Sequence, residues 1–226
     1  MTSVLPVLVF DVNETLSDMS PMGERFSEIG APADLAKLWF ATLLRDGFAL
    51  TASGDNGSFA AIGADVLRAM LEQVEIDRPL EEAVAHVMAG MAGLGVHRDV
   101  PTGISALAAA GFRLVTLSNG SAQIAGKLFT AAGIRDNFES LLSVEDAPAW
   151  KPARAAYEYA AAATAAEPAG MLLVAVHPWD IHGAARAGLR TAWLNRTGAA
   201  YPVYFEAPEF TVTALTDLPA ALHAGL

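Results

Sequence analysis

VLPVLVFD, the stretch Val4–Asp11, contains an unbroken apolar run that ends directly at an aspartate. A run of this length without alternating polar residues is typical of a β-strand that is buried on both faces. Strands of this kind belong to parallel sheets that carry helices on both sides. Asp11 therefore stands just beyond the carboxyl end of a strand, which is where such sheets form their binding sites.

Three later segments repeat this arrangement of an apolar run followed by polar residues. Helical stretches separate them, and Gly111, Gly133 and Gly188 stand where three of these helices would end. Strands that alternate with helices predict right-handed crossovers and a mostly parallel sheet. The predicted strands are Phe112–Leu117, Met171–Val176 and Thr191–Leu194, and the predicted helices are Ile104–Ala110, Ala122–Ala132, Ala153–Ala165 and Ile181–Ala187.

Residues 18–95 break this alternation, because no convincing strand separates their helical stretches. We therefore predict an α/β fold with a Rossmann-like parallel sheet core at residues 1–17 and 96–226. Residues 18–95 are predicted to form an inserted α-helical cap that covers the site. The predicted helices of this cap are Asp34–Asp46, Gly57–Val74 and Leu80–Leu94.

The composition limits the classes of function that need consideration. The chain has 226 residues, of which 53% are hydrophobic, so it can bury a sizeable core and is not disordered or fibrous. No apolar run reaches the about 18 to 20 residues that a membrane span needs. A net charge of −11 argues against nucleic acid and anionic membranes as partners. The absence of cysteine excludes thiol catalysis and fits a cytoplasmic protein.

The loop that follows the first strand offers a carboxylate for chemistry. Backbone N–H groups and hydroxyls around a strand end can keep Asp11 ionised and aimed, which suits a nucleophile that forms a covalent ester. An isolated aspartate in such a loop more often caps a turn. The rest of the sequence decides between these interpretations.

Three further segments supply partners for Asp11. A hydroxyl and an amide follow the second strand in Thr116–Gly120, and Lys151 with Tyr157 supplies a cation and a phenol. Trp179-Asp180 then supplies a second acid. This order resembles the haloacid dehalogenase superfamily, whose motifs are a strand-end aspartate, a Ser/Thr, a lysine and a final acidic loop. The resemblance covers nearly the whole chain, including the cap after the first motif.

Two positions indicate the branch of that superfamily. Its phosphatases carry a second aspartate two residues after the nucleophile, where this chain has Asn13. They also carry an acid that binds Mg²⁺ in the fourth motif, the final acidic loop, where this chain has Ala175. A halide leaves as a stable anion without a general acid, and a monoanionic haloacid needs no divalent ion. Four motifs resemble those of the L-2-haloacid dehalogenases in their residues. They are SNGS at 118–121, KP at 151–152 with Tyr157, WDIHGA at 179–184 and WLNR at 193–196.

The resemblance implies a role for each matching residue. Asp11 would attack the halogen-bearing carbon and invert it, while Thr15 and Ser118 would bind the substrate carboxylate or orient Asp11. Lys151 would keep Asp11 ionised. Asp180 would pair with Lys151 and help to activate the water that cleaves the ester.

The same resemblance implies a halide site and an apolar wall. Asn119 and Arg45 would receive the halide with Tyr157 close by, and Trp179 would form part of the wall. The assignment of Arg45 rests on its spacing from Trp39 in a cap helix, and a solvated helix arginine is the competing interpretation.

The chain departs from the family pattern at two places. The first motif usually runs Asp-x-Tyr-Gly-Thr, whereas this chain has DVNET at 11–15. In the fourth motif His177 replaces an asparagine. With an ordinary pKa of about 6.5, His177 can act as a base on the hydrolytic water or contact the halide, and a purely structural histidine is the alternative.

The sequence thus predicts hydrolytic dehalogenation of short 2-haloalkanoic acids to 2-hydroxy acids through an aspartyl ester, as in an (S)-2-haloacid dehalogenase. No cofactor and no metal are expected, and the partners are a small halogenated carboxylic acid, the halide product and, by resemblance, a second copy in a homodimer. Two alternatives stay open: a Mg²⁺-dependent small-molecule phosphatase, and a catalytically silent fold of the same superfamily that binds a carboxylate.

Overall fold

The central sheet is built from six parallel strands in the computed structural model, which describes residues 5–225. The strands are β1 (Val7–Phe10), β2 (Leu114–Ser118), β3 (Ser140–Ser143), β4 (Met171–Ala175), β5 (Arg190–Leu194) and β6 (Phe210–Val212). Across the sheet they lie in the order β3-β2-β1-β4-β5-β6. The chain order reverses beside β1, and open α/β sheets bind ligands at such a reversal.

Helices cover both faces of the sheet. Val7 and Val9 of β1 face one hydrophobic core, while Leu8 and Phe10 face the other, so the whole strand is apolar. The core on the first face includes α7, α8 and α1–α4, and the core on the second includes α5, α6 and α9. The helices are α1 (Met22–Ser27), α2 (Leu35–Ser53), α3 (Phe59–Leu71), α4 (Leu80–Ala92), α5 (Val100–Ala109), α6 (Ala122–Ala131), α7 (Arg154–Thr164), α8 (Pro178–Ala187) and α9 (Leu218–Gly225).

The α1–α4 segment lies between β1 and α5 and contains no strand within the described residues. Its helices bury apolar side chains against one another, with Trp39 of α2 donating its indole N–H to the Gly63 carbonyl at 2.9 Å. A single antiparallel bridge joins Ser17 to Val96, where the chain leaves and rejoins the sheet region. The predicted helical character of this segment is therefore correct, while its limits and its use as a cap stay predictions.

The α/β fold and the parallel sheet are confirmed, with corrections at the edges. The first strand begins at Val7, and the predicted start at Val4 lies outside the described residues. Two strands were not predicted, because β3 is short and carries serine at both ends and β6 has three residues. The short α1 was also missed. None of the helices in residues 5–225 combines the length and apolarity that crossing a bilayer requires.

Candidate active site

Strand ends and adjoining turns bring the predicted reactive residues together. Asp11 follows β1, Ser118 ends β2 and His177 follows β4. Lys151 lies in the turn before α7, and Asp180 lies in the first turn of α8. The side chains meet beside the reversal point of the sheet, where Asp11 is 3% exposed.

A buried ammonium group connects the two acids. Lys151 Nζ donates to Asp11 Oδ1 at 2.8 Å and to Asp180 Oδ2 at 2.6 Å. Burial opposes ionisation of Asp11, but the charge of Lys151 and a hydrogen bond from His177 hold the pKa of Asp11 well below its usual range. Burial likewise opposes the charge of Lys151, yet the two carboxylates raise its pKa. Asp11 is therefore an ionised carboxylate in a site that excludes water, as a nucleophile requires.

The second acid is held by a phenol. Burial raises the pKa of Asp180, and the neighbouring charge of Asp11 adds to this effect against the attraction of Lys151. Tyr157 donates its hydroxyl to Asp180 Oδ1 at 2.6 Å. Burial and the charge of Asp180 raise the pKa of Tyr157 well above its usual value, so the phenol stays a donor. Tyr157 thus contacts Asp180 directly, and its expected place close to the halide stays a prediction.

Glycine is required where α8 passes this phenol. A Cβ at Gly183 would lie 2.6 Å from Pro152 Cβ and 2.7 Å from the Tyr157 hydroxyl. We expect Gly183→Ala to displace Tyr157, to lower the free energy of unfolding by about 1–3 kcal/mol and to slow turnover, although alanine favours helices. Urea unfolding and halide release would measure both effects. Gly170→Ala, with nothing within 4 Å of its added Cβ, is the control, and equal behaviour of the two variants would contradict this expectation.

The other oxygen of Asp11 is also occupied. Thr15 donates its hydroxyl to Asp11 Oδ2 at 2.6 Å, and the same hydroxyl accepts the Val176 N–H at 3.1 Å. His177 Nδ1 lies 3.2 Å from Asp11 Oδ2, and its Nε2 lies 2.8 Å from Glu14 Oε2. Burial opposes a charge on His177, but its hydrogen bonds to the two carboxylates raise its pKa to about 9.

This raised pKa predicts a pH-dependent contribution of His177 to stability. A histidine whose pKa rises on folding stabilises the protein below its unfolded pKa of about 6.5, and this stabilisation is lost as the pH rises through about 9. The destabilisation caused by His177→Asn should therefore be larger at pH 6.5 than at pH 9.5, by about 3 kcal/mol. Urea unfolding at both pH values measures it, with exposed His223→Asn as control. A pH-independent difference would contradict the expectation.

Ser118 and Asn119 shape the loop after β2. The Asn119 amide donates to the Lys151 carbonyl at 3.1 Å and accepts the Lys151 N–H at 3.0 Å, so it fixes the backbone of the lysine. Ser118 Oγ accepts the Gly120 N–H at 2.9 Å. Both residues are buried, and their roles in binding the substrate carboxylate and the halide stay predictions. Asn119 also has a positioning contact that its spacing did not indicate.

Aromatic side chains pack on His177, near Lys151 and on one another. Trp179 stacks on His177 with ring centroids 5.0 Å apart, contacts Phe48 at 5.0 Å, and lies 5.9 Å from Lys151 Nζ. Phe59 stacks on Trp150 at 6.1 Å, and the ring of Phe40 lies 6.4 Å from those of Phe59 and His177. We call the five residues Phe40, Phe48, Phe59, Trp150 and Trp179 the aromatic wall. The sequence analysis indicated Trp179 as part of this wall.

Arg45 is not at the site. Its side chain is 70% exposed, and its guanidinium donates to the neighbouring Asp46 at 2.8 Å. Arg45 lies two residues from each of the buried residues Leu43 and Gly47, which places it on the opposite face of α2. The prediction that Arg45 binds the halide, which rested on its spacing from Trp39, is therefore wrong.

A cavity of about 460 Å³ opens between the α1–α4 segment and the sheet. Glu14, His177 and Phe40 line its inner side, and Lys37 and Arg196 add positive charge. Within residues 5–225, no cluster of three or more histidine, aspartate and glutamate side chains has the arrangement of a metal site.

Comparison with known proteins decides the family. A family model described as haloacid dehalogenase-like hydrolase matches residues 5–188. The chain belongs to this family. An (S)-2-haloacid dehalogenase from Pseudomonas sp. (strain YL) is 29% identical over 210 residues, which cover 92% of this chain and 90% of that protein. A haloacetate dehalogenase, H-2, from Moraxella sp. (strain B) is 28% identical over 213 residues, covering 93% and 95% of the two chains.

Solved structures of other haloacid dehalogenase-like hydrolases share the fold. A crystal structure of an L-2-haloacid dehalogenase superposes with a TM-score of 0.90 at 26% identity, covering 98% of this chain and 100% of that one. The Xanthobacter autotrophicus L-2-haloacid dehalogenase with chloropropionic acid covalently bound gives 0.88 at 22% identity, covering 99% and 100%. The predicted resemblance to this branch of the family is confirmed.

Proposed function

We propose that this hydrolase cleaves the carbon–halogen bond of short 2-haloalkanoic acids and releases 2-hydroxy acids through an ester on Asp11. The observation that carries the proposal is the ionised Asp11, held by Lys151 at 2.8 Å beneath the aromatic wall. The names of the relatives from Pseudomonas and Moraxella support the same substrate class.

In the first step an Asp11 oxygen forms a bond to carbon 2 while the carbon–halogen bond breaks, and the halide leaves with the bonding electron pair. Lys151 and Thr15 hold the two oxygens of Asp11, so the carboxylate is oriented before substrate binds. The aromatic wall accommodates the apolar substituent of the substrate and keeps water from the nucleophile. We assign the substrate carboxylate to the polar groups beside Ser118, and Asn119 to the positioning of Lys151.

In the second step water attacks the carbonyl carbon of the Asp11 ester. The 2-hydroxy acid leaves, Asp11 returns as a carboxylate, and one proton is released to solvent per turnover. Lys151 stays beside the carbonyl oxygen, where its charge stabilises the developing oxyanion. Asp180, oriented by Tyr157, keeps Lys151 in place during both steps.

The residues do not fit the Mg²⁺ ion that phosphatases of this superfamily use. The position of the metal-binding acid is Ala175, a fully buried methyl group, and Asn13 stands in place of the second aspartate. The acids Asp11 and Asp180 are bridged by the ammonium of Lys151. We therefore propose a reaction that is independent of metal.

The organisation of the chain completes the proposal. We propose that residues 18–95 act as a cap over a core of residues 1–17 and 96–226, because α2 and α3 contribute Phe40, Phe48 and Phe59 to the aromatic wall. The lack of cysteine supports a cytoplasmic location. A homodimer stays a prediction from the resemblance.

The decisive experiment follows the ester. Enzyme quenched during turnover of L-2-chloropropionate should carry a mass adduct on the peptide that contains Asp11. In a single turnover in ¹⁸O-water the label should first enter the Asp11 carboxylate rather than the product. The D-enantiomer tests stereochemistry, and p-nitrophenyl phosphate with and without Mg²⁺ tests the phosphatase alternative. Thermal stabilisation by 2-chloropropionate without halide release would instead indicate a silent carboxylate-binding protein.

A further inference from the structure

His177 stands between two carboxylates, and each ring nitrogen faces one of them. Nδ1 lies 3.2 Å from Asp11 Oδ2, and Nε2 lies 2.8 Å from Glu14 Oε2. The His177 side chain is 12% exposed, and its ring packs against the rings of Trp179 and Phe40, with centroids 5.0 Å and 6.4 Å away. The ring is therefore fixed in one orientation, with one nitrogen facing the carboxyl group of Asp11.

Glu14 adopts a backbone conformation that disfavours its own side chain. Its φ is +60°, in the left-handed region where glycine is favoured and where residues with a Cβ are strained. His97 Nε2 lies 2.9 Å from the Glu14 carbonyl oxygen and supports this turn. A glutamate here, where the family motif usually has glycine, places its carboxylate on His177 at the inner side of the 460 Å³ cavity.

We propose that His177 is the base that activates water for hydrolysis of the Asp11 ester, and that Glu14 is the positioning residue that prepares it for this step. The inference rests on the proposed function. It assigns to Glu14 a task that begins only after the ester has formed.

The change of charge on Asp11 determines when His177 can act as a base. In the resting enzyme Asp11 and Glu14 both carry negative charge, and the pKa of His177 is raised to about 9, so at neutral pH the imidazole is protonated and cannot act as a base. Formation of the ester removes the charge of Asp11, and the pKa of His177 then falls. The proton leaves to solvent through the cavity that His177 lines.

Glu14 then decides which nitrogen is the base. Its carboxylate accepts a hydrogen bond from Nε2–H, so the neutral imidazole keeps its proton there and presents the lone pair of Nδ1 to the ester. Water that attacks the ester carbonyl gives one proton to Nδ1, and its second proton stays on the oxygen added to the Asp11 carbon. The collapsing intermediate releases the product alkoxide, which takes up this second proton from the Asp11 carboxyl group. Asp11 is again a carboxylate, and His177 returns to its starting contacts.

Other charged groups also face this part of the cavity. Lys37 from α2, His97 from the turn before α5 and Asp18 lie along it, and Arg196 follows β5. Arg196 is paired with Asp99 at 2.9 Å. Asp11 and Glu14 are the acidic side chains in direct contact with His177 within residues 5–225, so they dominate its titration.

The test compares Glu14→Gln and Glu14→Gly by rapid-quench kinetics with L-2-chloropropionate. In both variants we expect hydrolysis of the ester to slow by about tenfold or more, so that one halide per site is released in a burst while the Asp11 adduct accumulates. His177→Asn should slow hydrolysis by about 100-fold. In Glu14→Gln the loss of a negative charge should also lower the pKa of His177, so the acidic limb of the pH–rate profile of hydrolysis should move to lower pH.

The variants separate the possible outcomes. Glu14→Gly relieves the left-handed backbone, so normal hydrolysis in this variant would overturn the inference and leave Glu14 with a structural role. Exposed Glu24→Gln is the matched control and should behave as wild type in both steps. If the wild-type enzyme forms no adduct at all, the proposed function itself fails. If it forms the adduct and Glu14→Gln hydrolyses it at the normal rate, the inference alone fails.

Discussion

Asp11→Asn is expected to abolish halide release, with a loss of turnover of about 10⁴-fold or more. The amide nitrogen has no negative charge and is a poor nucleophile, and the burial of position 11 limits the access of water as a substitute. Steady-state halide release and the mass of the quenched Asp11 peptide measure the effect. No adduct should appear in the variant.

The fold should survive this substitution, because Lys151 keeps its ion pair with Asp180. Circular dichroism and urea unfolding serve as controls, and mass spectrometry verifies that the amide at position 11 is intact. Full turnover by a folded variant with an intact amide would show that position 11 does not form the ester, and the proposed mechanism would be wrong.

Lys151→Met is expected to have the second largest effect, on both stability and activity. The substitution leaves Asp11 and Asp180 buried without the cation that they share. Removing one member of a buried ion pair costs about 3–5 kcal/mol. The pKa of Asp11 rises when its partner is lost, so a protonated and poorly nucleophilic acid should lower turnover by about 10³-fold or more at neutral pH.

The pH dependence of stability distinguishes this electrostatic loss from a packing defect. Protonation of the two acids removes their unfavourable charge, so the stability difference between wild type and Lys151→Met should shrink as the pH falls from 7 to 4. Lys127→Met, at an exposed position of α6, is the control and should stay near wild type. A difference that does not depend on pH would contradict the assigned role of Lys151.

The sequence predicted which candidate residues lie at the carboxyl edge of the sheet, because the fold places strand ends by a simple rule. Apolar runs of four to seven residues are recognisable without any tertiary information, and the polar residue after each of them must lie at the carboxyl edge of the sheet. Asp11, Ser118 and His177 were found in this way. The prediction of Lys151 and Asp180 also required the order of the motifs, because the local sequence around these two residues does not indicate where their side chains point.

The features that the sequence misplaced or did not predict are determined by packing between elements. Arg45 has the spacing of a halide ligand, but the face of α2 that turns inward is set by Leu43 and Gly47. The contact of Glu14 with His177 joins two loops and depends on a left-handed backbone at a residue that rarely adopts it. The edge strands β3 and β6 have too few apolar residues to be recognised before their pairing partners are known.

The aromatic wall and the ionisable groups come from different parts of the chain, which matters for engineering the substrate range. Phe40, Phe48 and Phe59 come from α2 and α3, whereas the ionisable groups come from turns around the sheet. Phe40 packs on His177, a partner of Asp11, so it is left unchanged. Libraries confined to Phe48 and Phe59 can therefore enlarge or reshape the space for a substrate's alkyl group while leaving Asp11 and the side chains in contact with it unchanged. Acceptance of longer or branched acids should then evolve separately from the rate of bond cleavage.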